Sequence, residues 1–216
     1  FMAFHKIDMD NWERREHYYY YRDFIKTRYN LCGEIDITGL LSQIREKRLH
    51  FYLVFLYVVI HTVNEIKELR MCLDEDGALG YWDVCHPSYT IFHKDDLTFS
   101  DIWTEYSPDF QTFYERASQD METFQDVKGI KAKPDTPPNF CPISCIPWIS
   151  FTGFGSDTYA ESNMLYPVIL FGKYHENEKG QILLPLSIAV NHMVADGYHT
   201  CLFFQKIQEF SSSLKL

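Results

Sequence analysis

Ile188-Ala-Val-Asn-His-Met-Val-Ala-Asp-Gly-Tyr-His199 decides how this chain is read. The alternating apolar run from Ile182 to Val190 predicts a strand that ends by presenting His192. Asp196-Gly197 then turns the chain into a helix from His199 to about Phe210, with Leu202, Phe203, Ile207 and Phe210 on its buried face. An imidazole with an ordinary pKa of about 6.5 is mostly neutral near pH 7, so a histidine held in that loop can take up a proton.

The chain on either side reads as alternating helices and strands. Ile7 to Arg22 suits a helix capped by Asp10 or Asn11, and the run Tyr18 to Tyr21 on it reads as a groove or rim patch of aromatics. Cys32 to Ile37 predicts a strand, Thr38 a cap for a helix toward Arg48, and Phe51 to Arg70 a long, largely buried helix. His61 on that helix reads as a packed core histidine. Ala78 to Cys85 and Tyr89 to His93 predict a hairpin turning at His86-Pro87-Ser88. Ser107-Pro108-Asp109 starts another helix, with Ser107 as cap and Phe110, Phe113, Tyr114, Ala117, Met121 and Phe124 on one face.

Lys128 to Asn139, with three prolines, reads as an irregular surface loop. Pro142 to Phe151 and Asn163 to Tyr174 then read as strands, and His175 to Gly180 as a polar turn. This interleaving predicts a mixed β-sheet covered by helices, of the α/β class.

A chain of 216 residues, 46% hydrophobic and 17% aromatic, suits a single domain over 1–216 with a substantial core. Its net charge of -10 disfavours nucleic acid and anionic membranes as partners, since both reward a basic face. The six cysteines, at 32, 72, 85, 141, 145 and 201, lack C-x-x-C spacing and read as buried free thiols in a reducing compartment. Phe1-Met2 reads as an addition ahead of the natural start, and no signal peptide follows it. The longest apolar run, Phe51 to Ile60, is too short for a membrane span of about 20 residues, so the expected location is cytoplasmic.

His192, Asp196 and Gly197 form a His-x-x-x-Asp-Gly signature that resembles the active-site motif of CoA-dependent acyltransferases. Within that group, stretches spread over the chain look like chloramphenicol acetyltransferase: Asp10-Asn-Trp-Glu-Arg-Arg-Glu-His17, Glu34-Ile-Asp-Ile37, Leu79-Gly-Tyr-Trp-Asp83, Tyr89-Thr-Ile-Phe-His93, Thr98-Phe-Ser100, Ile143-Ser-Cys-Ile-Pro-Trp148, Gly172-Lys-Tyr174 and Gly197-Tyr-His199. The resemblance implies an α+β two-layer sandwich, a homotrimer with active sites at subunit interfaces, and acetyl transfer from acetyl-CoA to a hydroxyl of chloramphenicol or a similar small alcohol, without a metal.

It also implies residue roles. His192 falls on the general base and Ser144 on the serine that stabilises the oxyanion, while Arg14 and Asp196 fall on an ion pair that holds the turn beside the histidine. Tyr21, Ile25, Thr27, Phe99, Ser156, Val168 and Leu170 fall on the acceptor pocket. Trp148 and Tyr174 fall on strands flanking the CoA tunnel. The residue types suit this chemistry, because an aliphatic hydroxyl needs a base near pH 7 and a thioester carbonyl under attack needs a hydrogen-bond donor.

Several positions depart from the pattern. Asn191-His192 stands where relatives carry His-His, Ala195 where they carry cysteine, and Leu170 where a threonine is thought to hold a water near the transition state. Ser156 and Thr27, with a loop around Ala132 lacking the usual phenylalanine, put acceptor identity in doubt more than reaction type. Four rival readings remain: a metal site on His192, Asp196 and His199; a Ser144-His192-Asp196 hydrolase, against which no Gly-x-Ser-x-Gly elbow is present; a non-catalytic trimeric binder; and a dihydrolipoyl acyltransferase core.

Overall fold

Residues Phe51–Glu65 form a helix with ten side chains buried nearly all round its axis, and three other helices and a sheet pack against it. An element apolar on every side must be enclosed, and each buried Leu, Val, Ile or Phe contributes about 1.5 to 3 kcal/mol. The computed structural model describes residues 3–156 and 164–216.

In chain order the elements are β1 (Phe4–Lys6), α1 (Arg15–Asp23), β2 (Arg28–Asp36), α2 (Thr38–Glu46), α3 (Phe51–Glu65), β3 (Met71–Leu73), β4 (Leu79–Trp82) and β5 (His86–His93). They continue with β6 (Thr98–Trp103), α4 (Phe110–Phe124), β7 (Phe140–Cys145), β8 (Val168–Phe171), β9 (His175–Glu176), β10 (Ile182–Asn191) and α5 (Gly197–Ser213). The main sheet runs β2-β10-β8-β7-β5-β6, with β9 beside the start of β10; β7 pairs in parallel with both β5 and β8, and the other pairs are antiparallel. The mixed sheet expected from the interleaving is therefore present, with helices α2 to α5 against one of its faces.

Strand β10 lies between β2 and β8 and is buried on both faces. Leu184, Leu186, Ile188 and Val190 point into the helix-covered core. On the other face, Ser187 and Ala189 are equally buried. There Phe154, Met164 and Tyr166 lie over the sheet: Phe154 bonds through its N–H and carbonyl to the Cys32 thiol at 3.3 and 3.4 Å, and the Arg28 guanidinium donates to the carbonyls of Met164 and Tyr166, each at 3.2 Å.

Several expected elements are corrected. The hairpin of 78–85 with 89–93 does not form: β4 pairs with β1 and β3 in a separate three-stranded sheet, while β5 pairs with β6, a strand the periodicity did not reveal. The β5–β6 turn is closed by Asp96, whose carboxylate accepts the Thr98 N–H at 3.1 Å, and Leu97 takes a left-handed φ of 61° there. The long helix stops at Glu65, Ile66 is extended, and Lys67–Arg70 makes a separate 3₁₀ turn.

Caps move as well. Asp109, not Ser107, caps α4 by accepting the Thr112 N–H at 2.8 Å. Thr38 is the first helical residue of α2, and its hydroxyl instead accepts the Ile182 N–H at 2.8 Å. Helix α1 begins at Arg15, because the Asp8 carboxylate gathers the Asp10 N–H and the Asn11 amide, at 3.1 and 2.7 Å, into a turn ahead of it. The strand expected over 142–151 ends at Cys145, and the one expected over 163–174 is reduced to Val168–Phe171, its first residue lying outside the described residues.

The cysteines are free; Cys72, Cys85 and Cys141 are buried, Cys32 and Cys145 half-buried, and Cys201 exposed. Among the described residues no helix is long and apolar enough to cross a membrane.

Candidate active site

The backbone of His192 leaves the end of β10, and its N–H donates to the Thr27 carbonyl at 3.1 Å, which fixes the histidine against the start of β2. The imidazole stacks on Tyr21 with ring centroids 3.8 Å apart and planes 8° from parallel. Tyr29, in register with Val190 on the neighbouring strand, approaches from another side at 5.1 Å, and its hydroxyl meets the Thr200 hydroxyl at 3.3 Å. Tyr21 arrives from α1 and Tyr29 from β2, so two elements clamp the ring at the end of β10.

Nδ1 of His192 is buried, 3.0 Å from Oδ1 of Asp196, but outside the angular range of a hydrogen bond. The Asp196 carboxylate beside Nδ1 favours the ring proton on that nitrogen, which leaves the Nε2 lone pair to accept another. Burial pushes the His192 pKa below its ordinary value, its own carbonyl pulls it back up, and Arg14 and His17 push it down again. A neutral, proton-accepting ring near pH 7 follows.

Asp196 is the organising carboxylate. The Arg14 guanidinium grips it in bidentate fashion, Nη2 to Oδ1 at 3.1 Å and Nη1 to Oδ2, in a pair that is mostly removed from solvent. Asp196 also caps α5 in a capping box with His199: the His199 N–H donates to the Asp196 carbonyl at 3.0 Å, and Nδ1 of His199 receives the Asp196 N–H at 2.9 Å. Planar fork-to-carboxylate pairing fixes direction as well as distance, so the turn carrying His192 is tied both to the segment before α1 and to α5. The expected Arg14–Asp196 pair is present.

The other expected residues divide into two groups. Thr27 and Tyr21 touch or border His192, and Ile25 lies exposed between them just past α1. Ser144 does not. It stands in register with Leu170, which stands in register with Ser187, and His192 is five residues beyond Ser187. At about 3.4 Å per residue and about 4.8 Å per strand, His192 and Ser144 of one chain are about 20 Å apart. Phe99 is farther across the sheet on edge strand β6, exposed and opposite Phe92. Val168 pairs with Ala189 and Leu170 with Ser187, on the sheet face away from the helices, and Ser156 is half-buried.

Trp148 and Tyr174 lie on irregular connections and not on strands: β7 has ended at Cys145 and β8 at Phe171. Trp148 is 62% exposed, with Phe92 edge-on at 4.9 Å, and Tyr174 packs edge-on against Phe51 at 5.3 Å. A cleft of about 370 Å³ opens at His61, Asn64, His86 and Tyr106, and a hollow of about 200 Å³ at Cys32, Gly33, Glu34, Phe151 and Thr152.

A family model for chloramphenicol acetyltransferase matches residues 2–208. This chain belongs to the chloramphenicol acetyltransferase family. It is 42% identical to a chloramphenicol acetyltransferase of Clostridium perfringens over 98% of this chain and 96% of that one, and 41% identical to one of Staphylococcus aureus over 97% and 96%. A solved chloramphenicol acetyltransferase superposes with a TM-score of 0.85 at 26% identity, covering 96% of this chain and 99% of that one. The dihydrolipoamide acetyltransferase of Azotobacter vinelandii shares the fold, with a TM-score of 0.69 at 16% identity over 86% and 82% of the two chains.

Within the chloramphenicol acetyltransferase family, then, His17 and Tyr29 are neighbours of His192 that motif reading missed, although strand parity places Tyr29 beside Val190. The metal reading weakens, because His199 Nδ1 is already committed to a backbone N–H. Among the described residues no group of three or more His, Cys, Asp or Glu is placed to hold a metal ion. His61 is the packed histidine expected, bonded to the Tyr106 hydroxyl at 2.9 Å and stacked on Phe210.

Burial holds the pKa of four histidines below the ordinary value: His61, His86, His192 and His199. Below about pH 6.5 the unfolded chain therefore binds more protons than the folded one, and stability falls as pH drops from there through the lowered folded values. The Asp groups with lowered pKa lose their contribution only below about pH 4, a separate window. Tm should decline on acidification from about pH 7 to 5. A flat Tm over that range would show that burial of these rings does not couple to folding.

Proposed function

We propose that residues 1–216 form one acetyl-CoA-dependent acyltransferase domain that acetylates a hydroxyl of chloramphenicol, or of a closely similar small alcohol. The observation that carries this reading is the clamped, neutral His192 with a free Nε2. That nitrogen takes the hydroxyl proton as the alcohol oxygen attacks the thioester carbonyl. The new C–O bond forms, the tetrahedral oxyanion collapses, the C–S bond breaks, and the proton passes from His192 to the departing CoA thiolate. Ser144 donates its hydroxyl proton to the oxyanion, and Arg14, Asp196 and Tyr21 hold the imidazole in line.

The separation of about 20 Å between His192 and Ser144 in one chain supports a site assembled from two copies, with the base from one subunit and the serine, Leu170 and Phe99 from the next. A homotrimer closes such head-to-tail contacts into a ring. The exposed Phe99, Phe92, Trp148 and Ile149 offer an apolar surface on the side that would meet a neighbour. Trp148 and Tyr174 are assigned to the CoA side of the site. The cytoplasm, where acetyl-CoA is at hand, is the compartment we assign.

The test is thiol release from acetyl-CoA with and without chloramphenicol. Drug-dependent release supports the reading, and no release with chloramphenicol or any related alcohol favours a non-catalytic binder. Ser144→Ala should lower kcat by about 10²-fold with little change in KM, because its bond strengthens mainly in the transition state. A matching loss of ground-state affinity would recast Ser144 as a binding group. Leu170 offers no hydroxyl, so Leu170→Thr should raise kcat by a few fold, about 1 kcal/mol of transition-state stabilisation at most; an unchanged rate would show that no water is needed there.

A further inference from the structure

His199 takes no part in the proton transfer described above, yet it is mostly buried at the first turn of α5 and locked to Asp196. Its Nδ1 accepts the Asp196 N–H at 2.9 Å, and an imidazole that accepts at Nδ1 while neutral carries its proton on Nε2. That Nε2 faces Oε1 of Glu68, 3.9 Å away on the 3₁₀ turn Lys67–Arg70. The other groups facing the ring are Arg14 from the segment before α1, Lys67 from the 3₁₀ turn, and Tyr198 and Asp196 from its own element. Glu68 also acts to hold Arg14 protonated, and Arg14 Nε is buried without a hydrogen-bond partner among the described residues.

Resting on the acetyl-transfer reading, we infer that His199 is a positioning residue for the base: in its Nε2–H form it fixes the Asp196 backbone, and through Asp196 and Arg14 it sets the orientation of His192. A capping box ordinarily uses Glu or Gln at this position, three residues after the cap, to accept the cap N–H. A histidine does the same only while Nδ1 is unprotonated. Adding a proton there sets Nδ1–H against the Asp196 N–H, breaks the reciprocal cap, and frees the turn that carries the catalytic ring. Burial holds the His199 pKa below its ordinary value, which keeps the acceptor form in place near neutrality.

The consequence is an acid limb of kcat that reports two protons, one on His192 and one on His199. His199→Gln keeps a neutral acceptor at the position and removes the titration; His199→Leu keeps bulk and removes the acceptor. His199→Leu should lower kcat about 10- to 100-fold with KM for chloramphenicol nearly unchanged, since misplacing a reacting group by about 1 Å costs that much. His199→Gln should retain kcat near neutrality and show an acid limb of one proton.

Imidazole NMR supplies a readout free of turnover. In wild type, Nδ1 of His199 should be the unprotonated nitrogen, and the titration of His192 should shift in His199→Leu but not in His199→Gln. Leu behaving as wild type, Gln behaving as Leu, or the opposite tautomer would each overturn the inference, and the tautomer decides the matter if the Leu variant does not fold. Failure of wild type to release thiol with any alcohol would sink the acetyl-transfer reading instead, and leave the NMR comparison to be judged separately.

Discussion

Replacing His192 by alanine should lower kcat by about 10⁴-fold, the upper end of what a positioned general base contributes. The fold around it should hold. Its backbone N–H still donates to the Thr27 carbonyl, and the bidentate grip of Arg14 on Asp196 does not involve the ring. Removing a half-buried imidazole also removes one of the groups whose protonation destabilises the chain in mild acid, so His192→Ala should lose less Tm than wild type between about pH 6.5 and pH 5. What disappears is the proton acceptor. KM for chloramphenicol should change little, because the ring's hydrogen bond to the hydroxyl tightens only as the proton begins to move. Turnover within a few fold of wild type would remove His192 from the mechanism.

The part of this site legible from residues alone was local. Alternation from Ile182 to Val190 marks β10, the spacing of Leu202, Phe203 and Ile207 marks α5, and Asp196-Gly197 marks the turn between them, so the position of His192 at a strand end follows from neighbours in sequence. Long-range pairing was not legible. Strand β1 has only three residues and owes its state to β4, while β6 is half-exposed and owes its state to β5. Each short strand becomes one because a partner distant in sequence satisfies its backbone. The exits of β7 and β8, which carry Trp148 and Tyr174, are irregular for a related reason: Ile146 and Lys173 spend their N–H groups on the Phe171 and Ile149 carbonyls, tying two loops together in place of extending the ladder. The roles of Ser144, Leu170 and Phe99 came from resemblance, since nothing local distinguishes a strand serine on a half-buried face from any other.

That dependence makes the second large effect a test of assembly as well as of chemistry. His192→Ala and Ser144→Ala subunits, each strongly impaired alone, should recover activity when co-expressed or refolded together. If every site draws its base from one subunit and its oxyanion donor from the next, random mixing in a ring leaves about a quarter of the sites with both groups intact. Mixed trimers should therefore show about a quarter of wild-type turnover, at least tenfold above either parent. The physical ground is distance: His192 follows the end of β10, Ser144 sits two strands away and about 20 Å off, and a thioester carbonyl reached by both must have His192 within about 3 Å of the attacking hydroxyl. No side-chain rotation spans that gap, because a serine hydroxyl reaches only about 2.4 Å from its Cα. Activity that stays at the parental level in verified mixed oligomers would mean that both groups serve the same chain's site, or that Ser144 serves none. The first outcome is barred by the strand register, so the second would follow, and the oxyanion would need another donor.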